Sequence, residues 1–292
     1  MRTKRLDKNF HIDHMTFEEF QQVILWAKHE GWNPGINDAR VLYDAAPEGY
    51  LIGKIGEELV SSVTAIIYQK RYAFMGMYIV HPKYRGMGYG YAIWQEAMRR
   101  LEVSSVEVIA MEATLPQVER FQSSGFDVAY MHDRFIYDVN GGERQTAKVW
   151  DVTEESIDDV CAYDDMFDVE ARKGFTRNWL GIPGVEAVYW SDKIHGEIKG
   201  YGVIREAAEG YRVGPLYAHD ITIASEIFEA LGSKARNGAQ LMIDVPENNQ
   251  AGSRLMRSRC GDIKGQLARM YKGGTPPERM NEMFGLFSVK IG

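Results

Sequence analysis

Three glycines at alternate positions between a strand and a helix constrain this chain more than any other feature. Residues 73–80 (AFMGMYIV) are apolar on both faces and read as a central strand. His81-Pro82 turns the chain, Arg85-Gly86-Met87-Gly88-Tyr89-Gly90 follows, and helical sequence runs over about 91–101. No Gly-Lys-Ser/Thr follows the glycines, so this is not a P-loop. Nor is it the dinucleotide fingerprint: read from Gly86 the last glycine falls on Tyr91, and from Gly88 on Ile93. What remains is a helix N-terminus with unpartnered N–H groups, a positive dipole end and an arginine beside it. Glycine in a first turn costs up to about 1 kcal/mol relative to alanine. Three of them are expected where backbone wraps closely around an anionic ligand, and a pyrophosphate suits the site.

The elements around the loop recur in order. In the first half, Thr16 and Glu19 form a capping-box pattern ahead of a helix that ends at Gly31, and two strands flank a turn at 56–58. The 73–80 strand, loop and helix come next, then a strand at 106–111, a helix at 115–123 stopping at Gly125, and a strand at 128–139. In the second half a helix starts at Thr153 and another covers about 172–180. Strands EAVYW and EIKGYGVIR, a central-strand counterpart RVGPLY, the amphipathic helix ITIASEIFEALGSKAR, strand AQLMIDVP, helix NQAGSRLMRSRC and strand QLARMYK follow. This order predicts two copies of one α/β fold, 1–139 and 147–292, joined by a polar, glycine-rich linker at 140–146.

With 292 residues and a formal net charge of -7, the chain lacks the basic excess of a nucleic-acid binder. No run approaches the ~18 apolar residues needed to span a membrane, and the charged N-terminus lacks a secretory core. The two cysteines, Cys161 and Cys260, make no disulfide framework, which points to a reducing, cytoplasmic setting. His11 and His14 have no partners for a metal site. The pairs Asp158-Asp159 and Asp164-Asp165 read as a solvated helix face.

Arg-x-x-Gly-x-Gly after a strand ending in V-x-P resembles the coenzyme A loop of the GNAT acetyltransferases. The resemblance covers about 10–139 and includes the Ser124-Gly125-Phe126 ending. GYGVIR, VGPLYAHD and IDVPENNQA resemble the C-terminal domain of tandem GNAT proteins, with Gly214-Pro215-Leu216-Tyr217 where the loop is missing. The resemblance implies two mixed, mostly antiparallel sheets with flanking helices, the first of them binding acetyl-CoA as cosubstrate. Backbone N–H groups from Arg85 through Gly90 would hold the pyrophosphate. Ile79 and Val80 would meet the pantetheine arm, one of them facing the thioester carbonyl. Glu112, directly after the 106–111 strand, is the first candidate for the base, with His81 as the second. The family commonly places a proton-donating tyrosine four residues before the glycine of its G-F ending. Here that residue is Phe121, so either the thiolate leaves unassisted or another group, such as Tyr130 or water, serves as donor. The implied activity is acetyl transfer to a primary amine of a small molecule or peptide, by direct attack. The alternative is a catalytically weak acyl-CoA sensor.

Overall fold

The computed structural model describes residues 6–68, 71–140, 147–167 and 174–288. All of the linker reading except Asn140 lies outside the described residues, as does the start of the helix expected from 172.

The first half contains strands β1 (Phe10–His14), β2 (Tyr50–Ile55), β3 (Glu58–Tyr68), β4 (Tyr72–Val80), β5 (Val108–Thr114) and β6 (Asp127–Asp138). Its helices are α1 (Phe17–His29), α2 (Asp38–Ala45), α3 (Tyr89–Val103) and α4 (Val118–Gln122). The second half contains β7 (Val149–Asp151), β8 (Val185–Trp190), β9 (Gly200–Glu206), β10 (Tyr211–Ala218), β11 (Gln240–Pro246), β12 (Gly265–Lys272) and β13 (Met283–Gly285). Helices α5 (Ile157–Asp164), α6 (Phe175–Leu180), α7 (Ile221–Gly232) and α8 (Gln250–Cys260) complete it. The α1 capping box forms as read: Glu19 N–H donates to Thr16 Oγ1 and Thr16 N–H to Glu19 Oε2, at 3.2 and 2.8 Å. Two other starts shift. Thr153 N–H donates to Ser156 Oγ (3.0 Å), so residues 153–156 form a turn and α5 begins at Ile157. Pro116 opens a 3₁₀ turn at Leu115–Gln117, and α4 follows it.

The strands form one sheet in the order β1-β2-β3-β4-β5-β12-β6-β11-β10-β9-β8-β7, with β13 against β10. Pairing is antiparallel except between β4 and β5 and between β10 and β11, so each half carries one parallel pair. The halves share strands: β12 from the second half is inserted between β5 and β6 of the first, and β6 pairs with β11. This insertion lengthens β5. Leu267, Ala268 and Arg269 pair with Thr114, Ala113 and Glu112, placing Glu112 inside the strand rather than just beyond it. No described helix is long and apolar enough to cross a membrane.

In the second half, β10 and β11 pair over Tyr211–Val213 and 241–243 and then part. The chain's own C-terminal segment fills that gap. Leu216 and Tyr217 pair with Gly285 and Met283, and Leu286 N–H donates to Asp244 C=O at 2.9 Å.

A buried charge cluster fastens the shared sheet. The Asp244 carboxylate, 3 % exposed, accepts from Arg134 Nε (2.7 Å) and Arg212 Nη2 (2.7 Å), joining β6, β10 and β11. Burial pushes this carboxyl up, but Arg134 and Arg212 outweigh it and bring it down to about 2. Burial in turn lowers Arg212 to about 10. A depressed carboxyl contributes stability that is complete above its unfolded pKa and lost as pH falls through the folded one. Part of the melting temperature is therefore expected to disappear between about pH 4 and pH 2. The Asp244→Asn variant leaves one buried and one partly buried guanidinium group, Arg212 and Arg134, short of a counter-charge, and chemical denaturation is expected to show a loss of about 3–5 kcal/mol.

Candidate active site

The site begins where β4 and β5 separate. Their parallel pairing ends at Met75↔Met111, and a cavity of about 500 Å³ opens between the diverging ends. A bulge re-aims the β4 side of this cleft. The register with β3 slips between Ser62 and Thr64, and Met77 takes a left-handed φ of 46°. Ser62 Oγ donates to Met77 C=O at 2.7 Å and pins the distortion.

At one end of the cavity lies the glycine turn. Gly86 and Gly88 adopt φ of 72° and 99°, values that side chains rarely reach, and Gly88 is the N-cap of α3. Gly90 has a packing reason beside the ligand wrapping expected of it. A Cβ there would lie 2.7 Å from Tyr78 Oη and 2.8 Å from Val80 Cγ2, so this glycine lets α3 press against β4. Arg85 Nε donates to Val80 C=O (2.9 Å), and its guanidinium pairs with Glu30. Ile79, Val80, Arg85, Gly86, Gly88 and Gly90 all line the cavity. Met87 and Tyr89 do not; Tyr89 packs against Val60 and Tyr84 in a small core beneath the turn.

The cavity passes through the sheet, and side-chain alternation assigns its two sides. Met75, Met111 and Ala113 pack on the face covered by α3 and α4. Past the bulge, Tyr78 stays on that face while Met77 and Ile79 join the opposite core with α1 and α2. Glu112 shares this opposite face. Its Oε1 accepts from Arg269 Nε at 2.6 Å, and His132 Nε2 lies 3.0 Å away. The other oxygen, Oε2, is buried with no partner among the described residues. Such an orphaned acceptor costs about 1–3 kcal/mol unless something polar fills it. Burial pushes the Glu112 carboxyl up, yet Arg269 and His132 outweigh that and hold it below its ordinary value. It is therefore ionised at neutral pH.

Residues 15–126 match the family described as "Acetyltransferase (GNAT) family", and residues 160–285 match "Acetyltransferase (GNAT) domain". The chain belongs to the GNAT acyltransferases. It carries two GNAT domains, and the cleft just described lies in the first. The chain is 26% identical over 279 residues to the holothin acyltransferase of a Pseudoalteromonas strain, covering 95% of this chain and 92% of that protein. Its fold resembles a putative acetyltransferase from Pyrococcus horikoshii: TM-score 0.81, 17% identity, 100% of this chain and 99% of that one. A GCN5-related N-acetyltransferase from Sphaerobacter thermophilus superposes with TM-score 0.65 at 12% identity, covering 92% and 96% of the two chains.

The other candidate residues of this GNAT protein fall at varying distances from the cleft. Phe121 lines the cavity on the α3/α4 side, its ring 5.1 Å from that of Trp94. His81 is outside the lining, packed between Trp26 and Tyr84 with ring centroids at 5.6 and 6.1 Å. Tyr130 lies on the Glu112 face but also outside the cavity, and its hydroxyl donates to Glu278 at 2.9 Å.

Sequence reasoning missed His132, Arg134 and Arg269. Arg134 lines the cavity beside Glu112. A usable signal was the alternation Tyr130, His132, Arg134 along β6, three polar groups on one face of a buried strand. Of the tryptophans, Trp32 lines the cavity whereas Trp179 is fully buried core. Trp32 is held from the second half, where Arg212 Nη1 donates to its carbonyl at 3.3 Å. The next residue, Asn33, exchanges two 2.8 Å hydrogen bonds with the Glu209 main chain.

The second GNAT domain differs at the equivalent place, and the missing loop needs relocating. Gly214 through Tyr217 lie inside β10, and the turn into α7 is His219-Asp220. There the Asp220 carboxylate caps the helix, accepting from Thr222 and Ile223 N–H at 2.8 and 3.0 Å. A helix end already holding a carboxylate repels phosphate.

Proposed function

We propose that this protein transfers an acetyl group from acetyl-CoA to a primary amine of a small molecule or peptide, by direct attack in the first domain. The observation that carries this reading is the continuous cavity from the glycine turn, along the unpaired edge of β4, to Glu112 on the other face. The α3 N-terminus would hold the pyrophosphate, and the β4 edge the pantetheine arm. N–H groups alternate along a strand. His81 N–H donates to Val60 C=O at 2.9 Å, so the Val80 N–H faces away from β3 and suits the thioester carbonyl. Glu112 would attract the acceptor's ammonium and take its proton directly or through water. The second domain would not bind acyl-CoA, because Asp220 closes its helix end and β13 fills its cleft. It contributes Leu267 to the acceptor side instead, and through Arg212 it anchors the first domain's Trp32 there.

Thiol release from acetyl-CoA across an amine panel tests this reading, and turnover with at least one amine is the expected outcome. A second reading, an acyl-CoA sensor, follows from Phe121. It would replace the first if CoA raised the melting temperature while no amine was acetylated. Both readings need the glycine turn. Gly88→Val forces a branched side chain to a φ of 99°, and CoA is expected to bind at least about tenfold more weakly by calorimetry. Unchanged affinity would refute the loop assignment.

A further inference from the structure

We infer that Tyr78 gives the departing CoA thiolate its proton, a role that the position of Phe121 leaves to another residue. The inference rests on the acyltransfer reading above and assigns one step of it.

Direct attack places its two proton problems on different substituents of the tetrahedral carbon. The amine nitrogen adds to one face of the carbonyl and must lose a proton, while the sulfur, a separate substituent, must gain one. The cleft divides in the same way: Glu112 lies on one face of the sheet, while Tyr78 lies on the α3/α4 face with Trp94 and Phe121. Tyr78 lines the cavity and is half-buried. Its ring stands edge-on to Trp94 at 5.7 Å and to Phe121 at 6.2 Å. The phenol thus shares an aromatic box with the residue that lacks a hydroxyl. It also abuts the first turn of α3, since a Cβ on Gly90 would meet its oxygen.

Arg120 completes the arrangement. Its Nη2 donates to Tyr78 Oη at 2.9 Å, and its guanidinium carbon lies 5.5 Å from the ring centroid. An exposed arginine held on a phenol stabilises the phenolate left after proton donation. Burial raises the phenol above its ordinary value and Arg120 draws it only part of the way back, so it is protonated throughout the neutral range. Two other phenols line the cavity. Tyr91 is 60 % exposed, and Tyr84 belongs to the small core under the glycine turn, so neither matches this placement.

The step balances without an outside reagent. The amine nitrogen bonds to the thioester carbon, and the carbonyl electron pair moves onto oxygen. On collapse the C–S bond breaks, sulfur keeps the pair, and the Tyr78 O–H proton passes to sulfur. The acceptor's proton leaves on the Glu112 side. Solvent returns a proton to the Tyr78 phenolate as CoA departs.

The test compares the parent protein with Tyr78→Phe, Phe121→Tyr and the double variant Tyr78→Phe/Phe121→Tyr. CoA thiol is a tolerable leaving group, so losing its acid slows transfer without abolishing it. Tyr78→Phe is expected to lower kcat by roughly 10- to 100-fold, toward the low end of general-acid contributions. KM for acyl-CoA and the CoA-induced rise in melting temperature should stay within about twofold of the parent's. The double variant, with a hydroxyl restored in the same aromatic box, should regain most of kcat. Arg120→Met should lower kcat in the same direction but less. Parental kcat in Tyr78→Phe would overturn the assignment. So would a fall in kcat matched by CoA affinity and melting temperature and not recovered in the double variant, because that pattern marks packing alone. A parent protein that acetylates no amine would remove the acyltransfer reading and this step with it, a result distinct from an active parent with an equally active variant.

Discussion

Glu112→Gln is expected to cut kcat/KM for acyl transfer by roughly 10²- to 10³-fold while leaving CoA binding nearly intact. The argument starts from charge. Glu112 is buried and ionised, and its two oxygens have different surroundings: Oε1 is engaged by Arg269, and Oε2 has no partner among the described residues. Glutamine keeps a carbonyl oxygen for Arg269 but cannot attract an ammonium or accept its proton. The variant also leaves the Arg269 guanidinium, 5 % exposed, without its counter-charge, so stability should fall as well. CoA-induced stabilisation separates the two effects, because the glycine turn lies at the far end of the cavity. The pH dependence has a fixed sign. The folded Glu112 carboxyl sits below its ordinary value of 4.5, so its stabilising contribution is complete above that pH and lost as pH falls through the depressed value. An acidic limb in kcat/KM above about pH 5 would therefore report the acceptor's ammonium rather than Glu112. If Glu112→Gln kept parental kcat/KM, the carboxylate would be only a structural partner of Arg269.

What could be read in the sequence was what is local. The capping box at Thr16 and Glu19, the strand before the glycine turn and the two positive-φ glycines all depend on residues a few positions apart. Gly90 was recognisable as unusual, but its cause is Tyr78 Oη, twelve residues away on another element. The larger omissions are longer-range still. Nothing near Glu112 announces that Arg269 will pair with it from β12, more than 150 positions along the chain, or that β12 will extend β5 past Glu112. The same distance in sequence misled the reading of Asp164. It looked like part of a solvated helix face, yet it is fully buried, accepting from Thr176 Oγ1 at 2.6 Å and from the Tyr201 hydroxyl. A carboxylate's fate depends on the donors that tertiary structure brings to it, and helix periodicity carries no record of them.

Ending the chain at Asn281 is expected to be more damaging than any single substitution, although none of the described residues it removes lines the cleft of the first domain. The lost segment includes Met283, Phe284, Leu286 and Phe287, all 5 % exposed or less. Each such side chain contributes about 1.5–3 kcal/mol on burial, so the four together rival the ~5–15 kcal/mol by which whole domains are stable. The truncated protein should accumulate as insoluble or protease-sensitive chain. Phe284→Ala is the graded version, with an expected loss of about 3–5 kcal/mol. For a chain of this size that corresponds to roughly 6–20 °C in melting temperature. The stoichiometry of CoA on Phe284→Ala adds a second readout. If β13 occupies the second cleft as a structural strand and Asp220 closes the helix end beside it, loosening β13 creates no new site, and calorimetry should still give one CoA per chain. Two per chain would mean that the second domain retains a working cosubstrate site beneath its own C-terminal strand. A stable protein truncated at Asn281 would mean that β13 is an ornament of the fold. The sheet argues otherwise: β13 pairs with β10, and Leu286 N–H donates to the carbonyl of Asp244, the residue whose carboxylate binds Arg134 and Arg212. The segment that fills the second cleft is thereby tied to the charge cluster joining the two halves, and Arg134 of that cluster lines the cavity of the first.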